Sequence, residues 1–238
     1  IDYADQVTLV TDAIYATTRY EYDDKGNVKK LYPPNYHNPP STANPDNYVT
    51  TNSYNFLNRL VSTNTPDGGT TRYIYETKSG RLRFYQNQHA IDQGKVMYIK
   101  YDDLGLEIEK GYFNSAWSTT LHTKADTDDN YPASPSSWRT RVRYAGQGDY
   151  TANYGVIDQI QTNNVTNSDA EVVESFVYDK DGRLTSKPLF LPEDGSGFPQ
   201  QGFSHTFQFE FDHLGQLIAE DYGEGPGKVL YQYDLSGR

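Results

Sequence analysis

The stretch Tyr178-Asp179-Lys180-Asp181-Gly182-Arg183-Leu184 sets the reading of the chain, because its plan recurs along the 238 residues. The plan is an aromatic, an acid, a short polar stretch, Gly, a basic or polar residue and an aliphatic. It appears as Tyr22-Asp23-Asp24-Lys25-Gly26-Asn27-Val28 and, with Asn in place of the acid and of Gly, as Tyr54-Asn55-Phe56-Leu57-Asn58-Arg59-Leu60. One residue longer, it reads Tyr75-Glu76-Thr77-Lys78-Ser79-Gly80-Arg81-Leu82. The other copies are Tyr101-Asp102-Asp103-Leu104-Gly105-Leu106-Glu107-Ile108, Phe211-Asp212-His213-Leu214-Gly215-Gln216-Leu217 and Tyr233-Asp234-Leu235-Ser236-Gly237-Arg238. The first residues are 32, 21, 26, 77, 33 and 22 apart, and the long gap has room for decayed units such as Tyr144 to Ile160. Self-similarity at such spacings is the signature of a repeat architecture.

Local chemistry gives the unit its shape. Tyr20 and Tyr22 alternate with Arg19 and Glu21, and Phe207, Phe209 and Phe211 with Gln208 and Glu210. A period of two residues is that of a strand. After one turn Leu106 and Ile108 alternate with Glu107 and Glu109, so the chain returns as a second strand. Between the strands the acid can accept from nearby amides as an Asx turn, and Gly can take the positive φ that closes a short hairpin loop. Each unit reads as a β-hairpin. One hairpin cannot bury an apolar face alone, so the units must pair edge to edge.

The expected fold is therefore all-β, a single repeat segment over 1–238 with turns near 22–28, 54–60, 75–82, 101–108, 178–184, 211–217 and 233–238. The structural turn residues are Tyr22, Gly26, Tyr75, Gly80, Tyr101, Gly105, Tyr178, Asp179, Gly182, Asp212, Gly215, Asp234 and Gly237. Only Asp2 to Tyr15 and Gln161 to Glu174 have room for a helical turn. Long loops are expected at 33–47, 114–138 and 188–204, where periodicity fails. Arg238 falls where a return strand has only begun, and neither terminus has the polar cap a repeat array requires. The 238 residues thus read as a segment of a longer chain.

Composition supports strands and excludes several functions. Leu, Ile, Val and Phe make up only about 20% of the residues, which with a net charge of −11 borders on disorder. The 22 Tyr argue otherwise, since aromatic and β-branched residues suit a pleated, half-buried surface. Their rings are expected to pack while the hydroxyls stay wet. The acidic balance argues against nucleic acid and anionic membranes as partners. No apolar run of about 18 residues is present to insert into a membrane. The absence of Cys excludes disulfides and thiolate sites.

The Tyr-Asp-x-x-Gly-Arg-Leu unit resembles the YD repeat of the Rhs (rearrangement hotspot) family. Tyr178 to Leu184 matches that consensus residue for residue, and other copies depart from it, as with Asn58 for Gly and Leu106 for the basic residue. The resemblance runs from about Thr17 onward, outside the three loops. Such repeats occur in bacterial polymorphic toxins, insecticidal toxin-complex shell proteins, wall-associated surface proteins and animal teneurins. The resemblance implies a curved, spiralling antiparallel sheet that is part of a larger shell or barrel, secreted or at the cell surface. The implied partners are the remainder of that shell and an enclosed or attached C-terminal domain. Surface glycans and a secretion or surface partner protein come second. Toxin members carry a self-cleaving core with paired aspartates after the repeats. Nothing here matches it, so no catalytic residue is carried over and no cofactor is expected.

Candidate chemistry outside the repeat is sparse. Asp23/Asp24 and Asp102/Asp103 are the paired acids a hydrolase needs, but both lie where turn chemistry alone asks for an acid. Asp126, Asp128 and Asn130 alternate like Ca²⁺ ligands, without the Gly and Glu of an EF-hand loop, so a solvated acidic loop is favoured. The five His are scattered, with none at i, i+4 spacing. Trp117, Trp138 and Tyr131 bracket the longest loop and are the candidate glycan contacts, against the plainer reading that they pin the loop to the sheet. A non-enzymatic shell segment is the expected function. An adhesive or carbohydrate-binding surface module is the alternative, and a hydrolase fragment a third.

Overall fold

The computed structural model describes residues 7–12, 16–40, 42–133, 137–145, 156–163, 171–191, 203–223 and 227–234. Gly237 and most of the loop expected at 188–204 lie outside the described residues. The strands form one antiparallel sheet of 17 strands. The chain divides into two compact units, Ile1–Tyr98 with Phe113–Ser134 and Ile99–Tyr112 with Pro135–Arg238.

The first unit is a meander of β1 (Leu9–Thr11), β2 (Thr17–Tyr22), β3 (Val28–Tyr32), β4 (Thr50–Tyr54), β5 (Leu60–Thr65), β6 (Gly69–Tyr75), β7 (Leu82–Gln86) and the start of β8 (Lys95–Tyr101). Each strand through β8 pairs antiparallel with the next. Repeat turns join β2 to β3, β4 to β5 and β6 to β7, so all three fall on one edge of the sheet. The other connections fall on the opposite edge. They carry α1 (Pro34–His37), a 3₁₀ turn (Pro45–Tyr48) and α2 (Gln88–Asp92).

The second unit continues with β9 (Glu107–Asn114), β10 (Ser137–Tyr144), β11 (Ile157–Asn163), β12 (Glu171–Ser175), β13 (Val177–Tyr178), β14 (Leu184–Leu191), β15 (Phe203–Phe211), β16 (Leu217–Asp221) and β17 (Lys228–Leu230). β12 and β13 both pair with β14, and the remaining strands pair with their neighbours in order.

Two sequence expectations are corrected. The stretches given room for helix hold strand in their described residues: Leu9–Thr11 lies in the first, and β11 and β12 reach into the second. Pairing decides there, with Leu9 opposite Arg19 and Thr162 opposite Val172. Conversely, the segment read as a loop at 114–138 holds α3 (Thr119–Thr127), and the loop at 33–47 holds α1 and most of the 3₁₀ turn.

The first unit owns the larger apolar core. Ile74, Phe84, Val96, Tyr98 and Phe113 from the sheet meet Leu121 and Ala125 of α3, with Trp117 and Tyr131 packed against them. Leu121 and Ala125 are four residues apart and so share one face of the helix. Tyr131 meets the rings of Phe84 and Phe113 edge to face at 6.0 and 5.6 Å. The second unit buries charge instead. Lys100 lies 3.0 Å from Glu109, which also accepts from Arg141 Nε at 2.8 Å.

Candidate functional site

Five of the repeat turns share one bonding scheme, built by a four-residue span, and the longer turn at 75–82 closes from Glu76 N to Arg81 O instead. In the reference copy, Asp179 Oδ1 accepts from the amides of Asp181 and Arg183 at 2.9 and 3.0 Å. The backbone closes with Asp179 N to Arg183 O and Gly182 N to Asp179 O. Asp23, Asp102 and Asp212 accept from the residues two and four ahead in the same way. Asn55 does so with its amide oxygen, which explains why Asn serves for Asp there. The Gly position is left-handed in every described copy, with φ +80° at Gly182. In the second copy Asn58 takes φ +61°, the one non-Gly residue with positive φ among the described residues. Asn is the residue that best tolerates that region after Gly.

These bonds stabilise the carboxylates in their charged form. The side chain and backbone amide of Asn27 hold the Asp23 pKa below its ordinary value, and the amide and guanidinium of Arg183 do the same for Asp179.

The consensus residues also reach from one hairpin to the next. The guanidinium of Arg59 lies so close to Gly80 of the following turn that a Cβ there would sit 2.2 Å from Nη2. It stands 5.8 Å from the Tyr75 ring centroid and donates to the Glu76 carbonyl at 3.2 Å. Arg183 repeats the arrangement, 5.3 Å from the Phe211 ring and beside Gly215. Asn27 completes the series by donating to Asn58 Oδ1. The basic or polar residue of one unit therefore covers the Gly or Asn of the next.

Four of the tyrosine hydroxyls at repeat positions are not left to water, as the composition had suggested. Tyr54 donates to the carbonyl of Val28, Tyr144 to Glu107, Tyr178 to Ile157 and Tyr233 to Leu217. Val28, Glu107, Ile157 and Leu217 each open a return strand. Tyr144 faces Ile157 across the same register shift found at Tyr22, Tyr54, Tyr75, Tyr178 and Phe211, so Tyr144 to Ile160 has the geometry of a repeat with an enlarged loop.

The remaining candidates are placed as follows. Asp126 accepts from the amide and hydroxyl of Thr77 at 2.6 and 2.7 Å, and Asp128 pairs with Lys124 at 2.8 Å. Both acids thus hold α3 in place or cap its end, and Asn130 is exposed in the turn that follows. No group of three His, Asp or Glu among the described residues could hold a metal ion. Arg83 is fully buried, and its Nη2 donates to the carbonyls of Asp128 and Asp129 at 3.1 and 3.2 Å. It was not singled out in the sequence, because nothing local marks a strand arginine as inward-facing.

The two acid pairs sit at hairpin tips, where Asp23 and Asp102 serve the turn and Asp24 and Asp103 are exposed. Of the aromatic candidates, Tyr131 turns into the core and Trp138 lies on β10. Trp117 packs on the core and also lines an open cleft of about 380 Å³ with Val61, Ser62, Arg72, Tyr73 and His122.

A repeated hairpin meander of this kind is the fold of chains in the Tc toxin assemblies. A crystal structure of TcdB2-TccC3-TEV superposes with a TM-score of 0.61 at 15% identity, over 94% of this chain and 10% of that one. The Tc holotoxin pore of Photorhabdus luminescens gives 0.62 at 15% identity, with the same coverage. In sequence the chain is similar to Salivary gland surface protein 1 of Aedes aegypti, 26% identical over 199 residues. That match spans 79% of this chain and 6% of the relative, so the chain spans a small fraction of the length of the proteins it matches. No protein-family model matches it. Among the described residues no helix is long and apolar enough to cross a membrane.

Proposed function

We propose that this chain is a non-enzymatic structural segment of an Rhs-type YD-repeat protein. It contributes hairpins to a secreted or surface-exposed β-shell that encloses or presents an effector or cargo domain C-terminal to it. The observation that carries this reading is the use of consensus side chains between hairpins. Tyr54, Tyr178 and Tyr233 spend their hydroxyls on an earlier return strand, and Arg59 and Arg183 lie on the following turn. Such a device propagates a wall rather than shaping a site. The likeness in fold to chains of the Tc toxin assemblies supports it.

The test is limited proteolysis of the longer polypeptide that contains this segment, followed across the residues C-terminal to it. Enclosure gives a protease-resistant C-terminal region that becomes cleavable when the wall is opened by Arg83→Ala. Equal cleavage before and after the substitution overturns enclosure. A second reading, a cell-surface binding module, is favoured by one observation, that Trp117 lines an open cleft.

A further inference from the structure

Helix α3 covers the sheet at β6 and β7 through Leu121 and Ala125, and no residue of the neighbouring β5 joins that core. The uncovered corner is the cleft of about 380 Å³ lined by Val61, Ser62, Arg72, Tyr73, Trp117 and His122, all within the first unit. Ser62 and Arg72 are cross-strand partners and so point to the same face. Ligand pockets are mostly apolar or aromatic, hold a few convergent polar groups and begin at about 300 Å³. The cleft meets that description, with the aromatic Trp117 beside the polar groups Ser62, Arg72 and His122.

Its charge is the unusual feature. The whole chain carries −11, and seven other arginines have partners. Arg19, Arg81, Arg83, Arg141, Arg143 and Arg183 face carboxylates, and Arg59 a carbonyl and a ring. Arg72 has no ion pair or hydrogen bond from its side chain among the described residues, although it is half-buried. His122 has none either, and no acid among the described residues lines the cleft. A half-buried guanidinium left without an anion in an acidic protein is a group prepared for one. Its planar fork matches a carboxylate with two parallel hydrogen bonds. Trp117 adds flat apolar surface beside it, which suits a ring.

We infer that this cleft binds a small carboxylate attached to a six-membered ring, with Arg72 gripping the carboxylate and Trp117 lying against the ring. Two sources share that chemistry, an aromatic acid and a sugar acid. A cleft in this position would serve a shell wall and a free surface module alike.

The test uses the 238-residue chain with phenylacetate and glucuronate, each set against its uncharged counterpart, 2-phenylethanol and glucose. The Trp138→Phe variant leaves Trp117 as the sole tryptophan reporter, and equilibrium dialysis of the unsubstituted chain with labelled ligand gives a second measure. Saturable quenching by at least one carboxylate is expected, with the uncharged counterpart about tenfold weaker or more. Arg72→Gln should weaken binding about tenfold or more, as loss of a charged hydrogen bond does, while the thermal midpoint stays near that of the parent. Binding of phenylacetate alone assigns the aromatic acid, and of glucuronate alone the sugar acid. Binding of both shows that a carboxylate on either kind of six-membered ring suffices. No saturable binding by either method, equal binding of the uncharged counterparts, or full binding by Arg72→Gln would each overturn the inference.

Discussion

Replacing Gly80 with alanine tests whether the repeats are locked to each other by their consensus residues. Two costs add. Gly80 has φ +77°, and an L-residue in that region costs about 1–2 kcal/mol. The new Cβ would also stand 2.2 Å from Nη2 and 2.6 Å from Cζ of Arg59, so the guanidinium must leave. Its departure forfeits the cation–π contact with Tyr75, about 0.5–1 kcal/mol, and the bond to the Glu76 carbonyl, about 0.5–1.5 kcal/mol. Gly94 supplies the control in the same unit, because it has φ +64° and nothing within 4 Å of its would-be Cβ. Gly94→Ala should therefore cost only the backbone part. In urea titrations followed by Trp117 fluorescence in a Trp138→Phe background, Gly80→Ala should cost about 1–2.5 kcal/mol more than Gly94→Ala. That excess should vanish when both are measured with Arg59→Ala. Equal costs for the two glycine substitutions, or an excess that survives the loss of Arg59, would refute the lock.

Three further outcomes are expected. Asp179→Asn keeps an acceptor for the turn amides, as Asn55 does naturally, but loses the charge held by Arg183. The folded carboxylate titrates below its ordinary value of 3.8, so its stabilisation is present above that value and lost as pH falls through the folded one. The deficit of the variant in urea midpoints at pH 7 should therefore close at strongly acid pH, and a pH-independent deficit would contradict the account. Tyr178→Phe removes the hydroxyl bond to Ile157 and should cost about 0.5–1.5 kcal/mol at neutral pH. Burial and then the charge of Asp158 raise the Tyr178 pKa, so the parent should lose stability as pH rises above 10 where the Phe variant does not. Arg83→Ala leaves the carbonyls of Asp128 and Asp129 without their donor and Glu76 with Arg81 as its remaining cation. It should cost about 1–3 kcal/mol, as unpaired buried acceptors do, and raise amide exchange across residues 119–131, measured by mass spectrometry.

The turns were legible because their chemistry is short-range. Asp179 serves amides two and four residues ahead, so a window of seven residues contains cause and effect. Even the substitution of Asn58 for Gly is readable, because the same left-handed backbone admits both. Helix α3 was not. Thr119, Thr120, Thr123 and Thr127 are β-branched and poor helix formers, and the segment has no side-chain cap on its first turn. It is helical because Leu121 and Ala125 find Ile74 and Phe84, Thr77 takes Asp126, and Arg83 holds the carbonyls beyond its end. Each of those partners lies more than 30 residues away. The buried pairing of Lys100 with Glu109 was equally hidden, since two charges in a strand ordinarily mark the solvent face.

The sequence by itself determined that the chain is all-β and built of hairpins, and where the turns lie. It did so because a turn needs only one acceptor and one residue free to take positive φ. Which partners the arginines and tyrosines would choose was decided by tertiary structure. Arg59 reaches Gly80 and Tyr54 reaches Val28 only because pairing brings successive hairpins side by side. The same packing set Trp117 and an unpaired Arg72 around one cleft, from positions 45 residues apart, where no local pattern could have joined them.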